Sequence, residues 1–406
     1  MNILLINHYA GSIYHGMEFR AYYVAKEWIK KGHNVRIITA DYSHLRSNNP
    51  DIKKDFEITN IDGIEYQWIK TTKYESNGVK RAITMVQFCG KLYRKAKKIA
   101  TEFKPDVVIT SSTYPLDTYP AQKIAKKAKA KYIHEGHDIW PLTLTNLMGM
   151  SKLHPLVILL AMAEKSAYKN SEHVVSVLPY SWKHMLEHGL QNKDKFTHIP
   201  NGIVIEDWKK AEPVPKEHEA LMTELKSKGK KIVCYLGGHA RSNALDVLVD
   251  AATESKNSNV AYVLVGKGNE KQRLMEKAGE AANIHFLPPV NKKAVPTILS
   301  MADFLYIGAE KCELYKFGVS MNKVYDYMMA SKPIIYGVEA ANNDVADSNC
   351  GINIDPSDAS SILKAVDTLL AMPPEELEAM GERGKKSVME KYNYSSLADV
   401  FLDVMK

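Results

Sequence analysis

Short apolar runs of strand type alternate with longer segments of helical period from the first residues of this 406-residue chain. In the first half, the predicted strands cover residues 2–6, 34–39, 64–69, 106–110, 131–134 and 173–177. Residues 17–31 and 81–103 are predicted to be helices, because their apolar residues recur every three or four positions. Strands that are apolar throughout and alternate with helices are typical of a parallel sheet covered on both faces.

The same alternation resumes in the second half of the chain. There the predicted strands cover residues 231–236, 260–265, 284–287, 304–307 and 333–336. Between the halves, Pro200-Asn201-Gly202 is followed at 212–219 by a charged, proline-bearing segment that is typical of a linker. We therefore expect an α/β chain of two doubly wound domains, at residues 1–205 and 206–385. The helical tail, 386–406, is expected to kink at 392–394 and to return to the N-terminal domain.

Composition places the protein among soluble globular chains, with 45% hydrophobic and 25% charged residues. No apolar run reaches the roughly 18 residues that a transmembrane helix needs, and the first residues lack a basic leader with a cleavage site. We therefore expect a cytoplasmic protein. The four cysteines are scattered without CxxC spacing, so neither a disulfide framework nor a zinc site is indicated.

The net charge of +7 is concentrated in one region. Residues 73–131 hold 14 Lys and Arg against 4 Asp and Glu, and much of this charge falls on segments of helical period. Through such a face a protein can bind peripherally to an anionic membrane surface. Alternatively, the face is solvated and only keeps the protein soluble. No nucleic-acid motif accompanies the charge, so nucleic acid is not an expected partner. The nearby segment 154–162 adds apolar surface beside this charge if it is exposed, but we expect it to be a buried core helix.

Residues 316–336 form the stretch with the strongest candidate chemistry. Ser320 is predicted to cap a helix that runs to residue 330, and Gly318 before it allows close approach of a ligand to the backbone. A helix N-terminus suits a phosphate, and Asn322 and Lys323 fall in its first turn. Asp326 lies one turn deeper, where a carboxylate can accept hydrogen bonds from a ribose diol. An ordinary capped helix with a solvated Lys and Asp would carry the same pattern.

In doubly wound domains ligands bind outside the carboxyl ends of the strands, so the cleft between the domains is the expected active site. The loops predicted to reach it carry His15, Gly16, Met17, Glu18, His137 and Asp138 in the first domain, and Gly237, Gly238, His239, Arg241, Asn243 and Lys267 in the second. These loops contain neither GxGxxG nor GxxxxGK[ST], which argues against a dehydrogenase and a P-loop nucleotidase. Gly237-Gly238 alone fits a tight turn equally well, but with Arg241 and Lys323 it favours a bound nucleotide diphosphate.

Several motifs together resemble the family-four retaining glycosyltransferases of the GT-B fold, along nearly the whole chain. They are Pro200-Asn201-Gly202-Ile203, residues 235–239 with 243–245, residues 264–268, and residues 326–335. Residues 318–323 match a GVSxNK stretch, and residues 137–141 match an HDxWP stretch, of amino-sugar transferases that assemble bacterial capsule and O-antigen. The set is specific, whereas each piece alone is weak.

The resemblance implies a two-domain enzyme that transfers a sugar with retention from a UDP-sugar, with an N-acetylated hexose as one candidate, to a lipid-linked or glycan acceptor. It implies no cofactor and no metal. His137, Arg241 and Lys323 are the expected catalytic residues. The expected donor-binding residues are Gly237, Gly238, His239, Asn243, Lys267, Gly318, Ser320, Asn322 and Asp326, and those on the acceptor side are His15, Gly16, Met17, Glu18 and Asp138.

The chain departs from the family pattern at two places. Of the two glutamates spaced by seven residues in the family, Asp326 stands at the second position and Gly318 at the first. Gly238 and Asn243 replace the usual Arg and Lys of the phosphate site, so Arg241, Lys267 or Lys323 must supply the cations. Two other functions stay open: a sugar-nucleotide 2-epimerase of the same architecture, with acid and base groups among Glu18, Glu135 and Asp138, and a nucleotide-sugar binding protein.

Overall fold

The structure is a computed structural model that describes residues 1–16, 19–74 and 78–406. Met17 and Glu18, two of the predicted acceptor-side residues, lie outside these ranges. The chain forms two compact units. Unit 1 comprises Met1–Asn201 with Tyr394–Lys406, and unit 2 comprises Gly202–Asn393.

Unit 1 is built on an eight-stranded sheet in the order β3-β4-β2-β1-β5-β6-β7-β8. The strands are β1 (Asn2–Ile6), β2 (Asn34–Ala40), β3 (Glu57–Ile61), β4 (Ile64–Ile69), β5 (Val107–Thr110), β6 (Lys131–Gly136), β7 (His173–Ser176) and β8 (Phe196–His198). Only β3, which pairs with β4, is antiparallel within this sheet. The chain leaves β1 on one side towards β2 and returns on the other side at β5, which makes the carboxyl end of β1 a topological switch point.

Helices cover both faces of this sheet. They are α1 (Arg20–Lys30), α2 (Val79–Phe103), α3 (Thr118–Ala128), α4 (Leu142–Asn146), α5 (Pro155–Asn170), α6 (Trp182–Glu187) and the C-terminal helix Tyr394–Met405. The C-terminal helix packs on α1, where the Trp28 indole donates to the Ala398 carbonyl at 3.3 Å and its ring meets Phe401 edge-on. Helices α2, α3 and α5 lie side by side over the apolar side chains of β1 and β5.

Unit 2 is a second doubly wound domain with a six-stranded parallel sheet in the order β11-β10-β9-β12-β13-β14. Its strands are β9 (Lys231–Leu236), β10 (Val260–Val265), β11 (Ile284–Leu287), β12 (Phe304–Gly308), β13 (Ile334–Gly337) and β14 (Gly351–Asn353). Its helices are α7 (Ile205–Lys209), α8 (Lys216–Ser227), α9 (Leu245–Glu254), α10 (Lys271–Ala278), α11 (Val295–Ser300), α12 (Asn322–Met329), α13 (Asp344–Asp347), α14 (Ala359–Ala371) and α15 (Pro374–Lys391). Along β9, alternate residues join the apolar clusters on opposite faces, as the period of a strand requires.

The predicted two-domain α/β fold with parallel sheets is confirmed, and so is the break at 392–394, since α15 ends at Lys391 and the next helix begins at Tyr394. Strands β3, β8 and β14 were not predicted. They are short edge strands, and β3 alternates half-buried with exposed residues, so none of them has the continuous apolar run of a central strand.

The prediction of a buried core helix at 154–162 is wrong for one face of α5. Val157 and Leu160 are buried, but Ile158, Leu159 and Met162 are 45%, 39% and 62% exposed. No helix in the described part of the chain combines the length and the apolar character that crossing a bilayer requires.

Candidate functional site

In unit 2, two glycine-bearing loops meet at the carboxyl ends of β9 and β10. A Cβ atom on Gly266 would lie 1.9 Å from the Gly237 carbonyl oxygen, and one on Gly268 would lie 2.1 Å from the His239 carbonyl oxygen. Any side chain at these two positions would therefore force the loops apart. The glycines allow the two loops to contact each other backbone to backbone and form one surface at the switch point of this sheet.

His239 lies inside this loop junction. Its backbone N–H donates to the Lys267 carbonyl at 2.9 Å, and its fully buried ring lies between Tyr235 and Phe286. Burial, with the charge of Lys271 nearby, lowers the pKa of His239 to about 4, so the ring is neutral. The structure therefore places this predicted donor-binding residue in the packing of the loops, whereas the neighbouring Lys267 is exposed.

Lys323 joins the first turn of α12 to the β9 loop. Its Nζ donates to Oδ1 of Asn243 and, at 3.3 Å, to the hydroxyl of Tyr235. Asn243 and Tyr235 in turn both donate to the Gly238 carbonyl, at 2.9 and 2.8 Å. Burial lowers the pKa of Lys323 to about 8, and no carboxylate of the described residues forms an ion pair with it. A desolvated ammonium with only neutral partners favours an anion as its ligand.

The start of α12 differs from the prediction. The helix begins at Asn322, and Met321, not Ser320, occupies the N-cap position without a side-chain cap. Ser320 instead shares a hydrogen bond with the Tyr325 hydroxyl at 3.2 Å, because the chain is still extended at Met321. Gly318 has a φ of +92°, which favours glycine. The first-turn amides of α12 thus lack a side-chain acceptor at the N-cap, and Asn322 is exposed beside them.

Asp326, the predicted ribose ligand, has a partner that the sequence did not suggest. Nζ of Lys292 lies 2.8 Å from Oδ1 and 2.6 Å from Oδ2 of this carboxylate. Asp326 is 9% exposed, so the pair is largely shielded on the carboxylate side. Lys292 begins a short 3₁₀ turn. Asn291 caps the N-terminal end of this turn, because its side chain accepts a hydrogen bond from the Ala294 N–H at 2.8 Å.

Arg241, predicted to be catalytic, lies at the surface of unit 2. Its side chain is 82% exposed and pairs with Glu310 at 3.1 Å. An ion pair that is open to water contributes little, because solvent and salt screen it. Of these two predicted catalytic cations, Lys323 is therefore the partly buried one, and Arg241 is the one that lies in solvent.

In unit 1, His137 follows the carboxyl end of β6 and belongs to a buried polar network. Its Nε2 lies 2.9 Å from the Ser111 hydroxyl and 3.4 Å from Oε2 of Glu135, and Ser111 donates to that same oxygen at 2.6 Å. Arg20 pairs with the other oxygen of Glu135 at 2.8 Å and also donates to the backbone carbonyls of Ile199 and Pro200. Burial acts to raise the pKa of Glu135, but Arg20, His137 and Ser111 outweigh it and hold that pKa well below its usual range.

The network fixes the His137 ring while leaving part of it accessible, because the histidine is only partly buried and Glu135 is 2% exposed. Glu135 is ionised, and its burial keeps a ligand from exchanging protons with it directly. Asp138, the next acceptor-side residue, is exposed. The sequence motif contained His137 and Asp138, whereas Arg20 and Ser111 come from distant segments and were not predicted.

The remaining acceptor-side residues lie in the loop after β1. His15 shares a hydrogen bond with the Ser12 hydroxyl at 2.8 Å, and burial together with the charge of Arg46 lowers the pKa of His15 to about 4. Gly16 has a φ of +68°, and a Cβ atom there would lie 2.9 Å from the Ser47 hydroxyl. The loop is therefore held closely against the segment that follows β2.

One histidine–carboxylate cluster in the described residues has the spacing of a metal site, although the sequence did not indicate one. Ligand atoms of Glu164, His184 and His188 lie within 4.8 Å of one another in unit 1. Within the cluster His184 Nε2 bonds Glu164 at 2.8 Å, and from outside it the Tyr168 hydroxyl donates to the same oxygen at 3.1 Å.

Two protein-family models match the chain. The model described as Glycosyltransferase Family 4 matches residues 14–207, and the one described as Glycosyl transferases group 1 matches residues 218–387. Together they cover most of both units. The chain belongs to the family 4 glycosyltransferases. This confirms the family resemblance that the motifs at 200–203 and 326–335 carry.

Relatives and solved structures agree with this assignment. The probable glycosyltransferase WbjE of Pseudomonas aeruginosa is 23% identical over 74% of this chain and 74% of its own. The putative colanic acid biosynthesis glycosyl transferase WcaI of Escherichia coli is 21% identical over 68% of this chain and 69% of its own. The Anabaena protein HepE, solved with UDP and glucose, has a TM-score of 0.68 at 12% identity, covering 100% of this chain and 99% of its own. The fold of this glycosyltransferase is therefore GT-B.

Proposed function

We propose that this glycosyltransferase moves a sugar from a UDP-sugar, with an N-acetylated hexose as the first candidate, to a lipid-linked or glycan acceptor in surface polysaccharide assembly. The observation that carries the proposal is Lys323, a desolvated cation with neutral partners at the start of α12. Such a group gains a counter-charge when a diphosphate binds. The relative WcaI is named for colanic acid biosynthesis, which supports the role in surface polysaccharide assembly. HepE was solved with UDP and glucose, which supports a UDP-sugar as the donor.

The chemistry assigned to the site is mainly electrostatic. Transfer with retention passes through an oxocarbenium-like sugar and a departing diphosphate, so donors aimed at the leaving phosphate stabilise the transition state. Lys323 and the uncapped amides of α12 are the groups that unit 2 offers for this task. We assign Asp326 to the ribose diol and His137, fixed by Glu135 and Ser111, to the orientation of the donor sugar.

The diphosphate is proposed to bind without a metal or a cofactor. No Asp-x-Asp pattern occurs in the predicted site loops, and carboxylates of that kind are the ligands by which a divalent ion would be shared with phosphates. In the proposed site Lys323, Arg241 and Lys267 supply the positive charge that such an ion would otherwise supply. Of these, Lys323 gains most from binding, since the other two are exposed to water.

We also propose that the protein works in the cytoplasm, as a peripheral protein on the inner face of the membrane that carries a lipid-linked acceptor. Arg94, Lys95, Lys97 and Lys98 of α2 are all exposed, as are Lys126 and Lys127 of α3. Helix α3 contacts both α2 and α5, and α5 carries the exposed Ile158, Leu159 and Met162. Cations beside apolar side chains are the combination that binds an anionic bilayer.

The proposal is tested by incubating the protein with UDP-sugars in the presence and absence of acceptor lipids extracted from membranes. Acceptor-dependent release of UDP supports it. Interconversion of the sugar without acceptor would mean the 2-epimerase, and intact binding alone would mean a binding protein. The Arg20–Glu135 pair weighs against the epimerase, since it removes one of that enzyme's candidate acid–base groups.

The nucleotide site itself is tested by calorimetry with UDP. Asp326→Ala removes a charge-assisted hydrogen bond and is expected to weaken UDP binding by about 1.5–3 kcal/mol. Unchanged affinity in the folded variant would contradict the assignment of Asp326 to the ribose.

A further inference from the structure

The Lys292–Asp326 pair joins two elements that are far apart in sequence. Asp326 lies within α12, one turn after Lys323, and Lys292 begins the 3₁₀ turn that precedes α11. A single ammonium contacts both carboxylate oxygens, at 2.6 and 2.8 Å, and the carboxylate is 9% exposed. Lys292 itself is 41% exposed on its side chain, so one side of the pair faces solvent.

This geometry leaves the carboxylate with capacity for a ligand. An ionised carboxylate has about four acceptor positions, and Lys292 uses one on each oxygen. Two positions therefore stay available for the two hydroxyls of a ribose. The ammonium also offsets the negative charge of Asp326, which would otherwise repel a diphosphate bound at Lys323 one turn away, since like charges in a shielded site interact strongly.

We infer that Lys292 is a positioning residue for nucleotide recognition: it orients the Asp326 carboxylate and offsets its negative charge, so that ribose and diphosphate can bind together. The inference rests on the proposed function, because it assumes that Asp326 meets the ribose. Lys292 is not placed in contact with the reacting atoms. Its effect should therefore appear in nucleotide affinity and KM, with kcat at saturating donor little changed.

Lys293 provides a matched control. It is the next residue in the same 3₁₀ turn, has the same charge, and pairs with Glu212 at 3.2 Å through an exposed side chain. Lys293→Met therefore removes the same charge from the same turn without touching Asp326. A general effect of net charge on UDP would weaken both variants alike, whereas the proposed role affects only Lys292.

The experiment measures the affinity of the full chain for UDP and for 2′-deoxy-UDP by calorimetry. Lys292→Met is expected to weaken UDP binding about tenfold or more and to reduce the preference for UDP over 2′-deoxy-UDP, because a poorly oriented carboxylate discriminates less. Lys293→Met should match the wild type, and Lys292→Arg should restore most of the preference. In an Asp326→Asn background, Lys292→Met should have little further effect on UDP binding, since the two residues act as one unit.

The outcomes separate this inference from the function on which it rests. If the wild type binds no UDP, the proposed function fails and the role of Lys292 fails with it. If the wild type binds UDP but Lys292→Met keeps the wild-type affinity and preference, only the role of Lys292 is overturned. Thermal unfolding of each variant checks that the variant is folded. If Lys292→Met and Lys293→Met lose affinity for UDP and 2′-deoxy-UDP to the same extent, the role of Lys292 is also overturned.

Discussion

Nε2 of His137 lies 3.4 Å from Oε2 of Glu135, and Arg20 neutralises the opposite oxygen of the same carboxylate. The partly accessible histidine is thus tied to a buried ion pair rather than to solvent. Removing one partner of such a pair leaves the other charge buried and unpaired, which costs far more than the pair itself contributes. The His137 site and the stability of unit 1 therefore depend on the same carboxylate.

Glu135→Ala is expected to lower the free energy of unfolding by about 3–5 kcal/mol, because Arg20 would keep its charge inside the unit without a partner. Chemical denaturation followed by circular dichroism measures the change. Glu102→Ala is the matched control: Glu102 pairs with Lys98 at 3.5 Å and both side chains are more than half exposed, so its loss should cost no more than about 1 kcal/mol. Equal losses in the two variants would contradict the special role of the buried pair.

The lowered pKa of Glu135 also predicts how the stability of the protein changes in acid. The pKa of Glu135 in the folded protein is held below its unfolded value, so the unfolded chain binds the proton more tightly. The contribution of Glu135 is therefore fully present above the unfolded pKa of about 4.3 and is lost as the pH falls towards the folded one. Between about pH 5 and pH 3, Glu135→Gln should lose stability less steeply than the wild type. Parallel denaturation curves at each pH would show that other carboxylates dominate.

The parts of the site that the sequence predicted are those whose signal is local. Lys323 and Asp326 fall within one helical segment, and His137 and Asp138 within one motif, so spacing alone brings each pair together. Arg20 and Lys292 carry no local signal: each is one of many basic residues, and only the folded chain places it against a buried carboxylate more than 30 residues away.

The fold shows the same division between local and distant signals. Central strands such as β9 and β10 were predicted because both faces are buried and the run is apolar throughout. The exposed face of α5 was missed because Ile158, Leu159 and Met162 are as apolar as the buried residues beside them. Sequence gives the hydrophobicity of a helix face, but the neighbouring elements decide whether that face is covered.

Lys323 predicts a pH-dependent affinity for the nucleotide. Its pKa is lowered to about 8 by burial, so the charged form that binds phosphate is lost as the pH rises through that value. UDP binding is expected to weaken between pH 7 and pH 9, by up to about tenfold for each pH unit above the pKa of the free protein. Lys323→Arg should bind UDP without this dependence, because an arginine stays charged. A wild-type affinity that is flat across this range would contradict the assignment.

Chelation is expected to leave transfer activity unchanged, because the proposed diphosphate site uses Lys323 and backbone amides for positive charge. The measurement is UDP release before and after dialysis against EDTA. Loss of activity that Mn²⁺ or Mg²⁺ restores would mean that the diphosphate is held in another way. Thermal unfolding in the same samples reports separately on the cluster of Glu164, His184 and His188, and His188→Ala is the control for any change in stability.

Binding to anionic vesicles is expected to depend on the basic face of α2 and on salt. Neutralising Arg94, Lys95, Lys97 and Lys98 together should weaken co-sedimentation with anionic vesicles while leaving UDP affinity unchanged, because these side chains are exposed on α2 and lie outside unit 2. Each charge near an anionic surface contributes about 1 kcal/mol, so the effect of four should be large at low salt. Exposed charges are screened within about 8–10 Å at physiological ionic strength, so added salt should weaken the wild type as well.

The control for this measurement is a four-fold variant of exposed basic residues in unit 2, such as Lys216, Lys226, Lys228 and Lys256. A loss that depends on net charge alone would appear in both variants, whereas a loss confined to the α2 variant assigns the membrane to that face. Vesicles of neutral lipid separate the apolar contribution of α5, because Ile158, Leu159 and Met162 do not require anionic headgroups. Equal pelleting of the wild type and the α2 variant with anionic vesicles, at low and high salt, would leave the basic face as a solubilising surface.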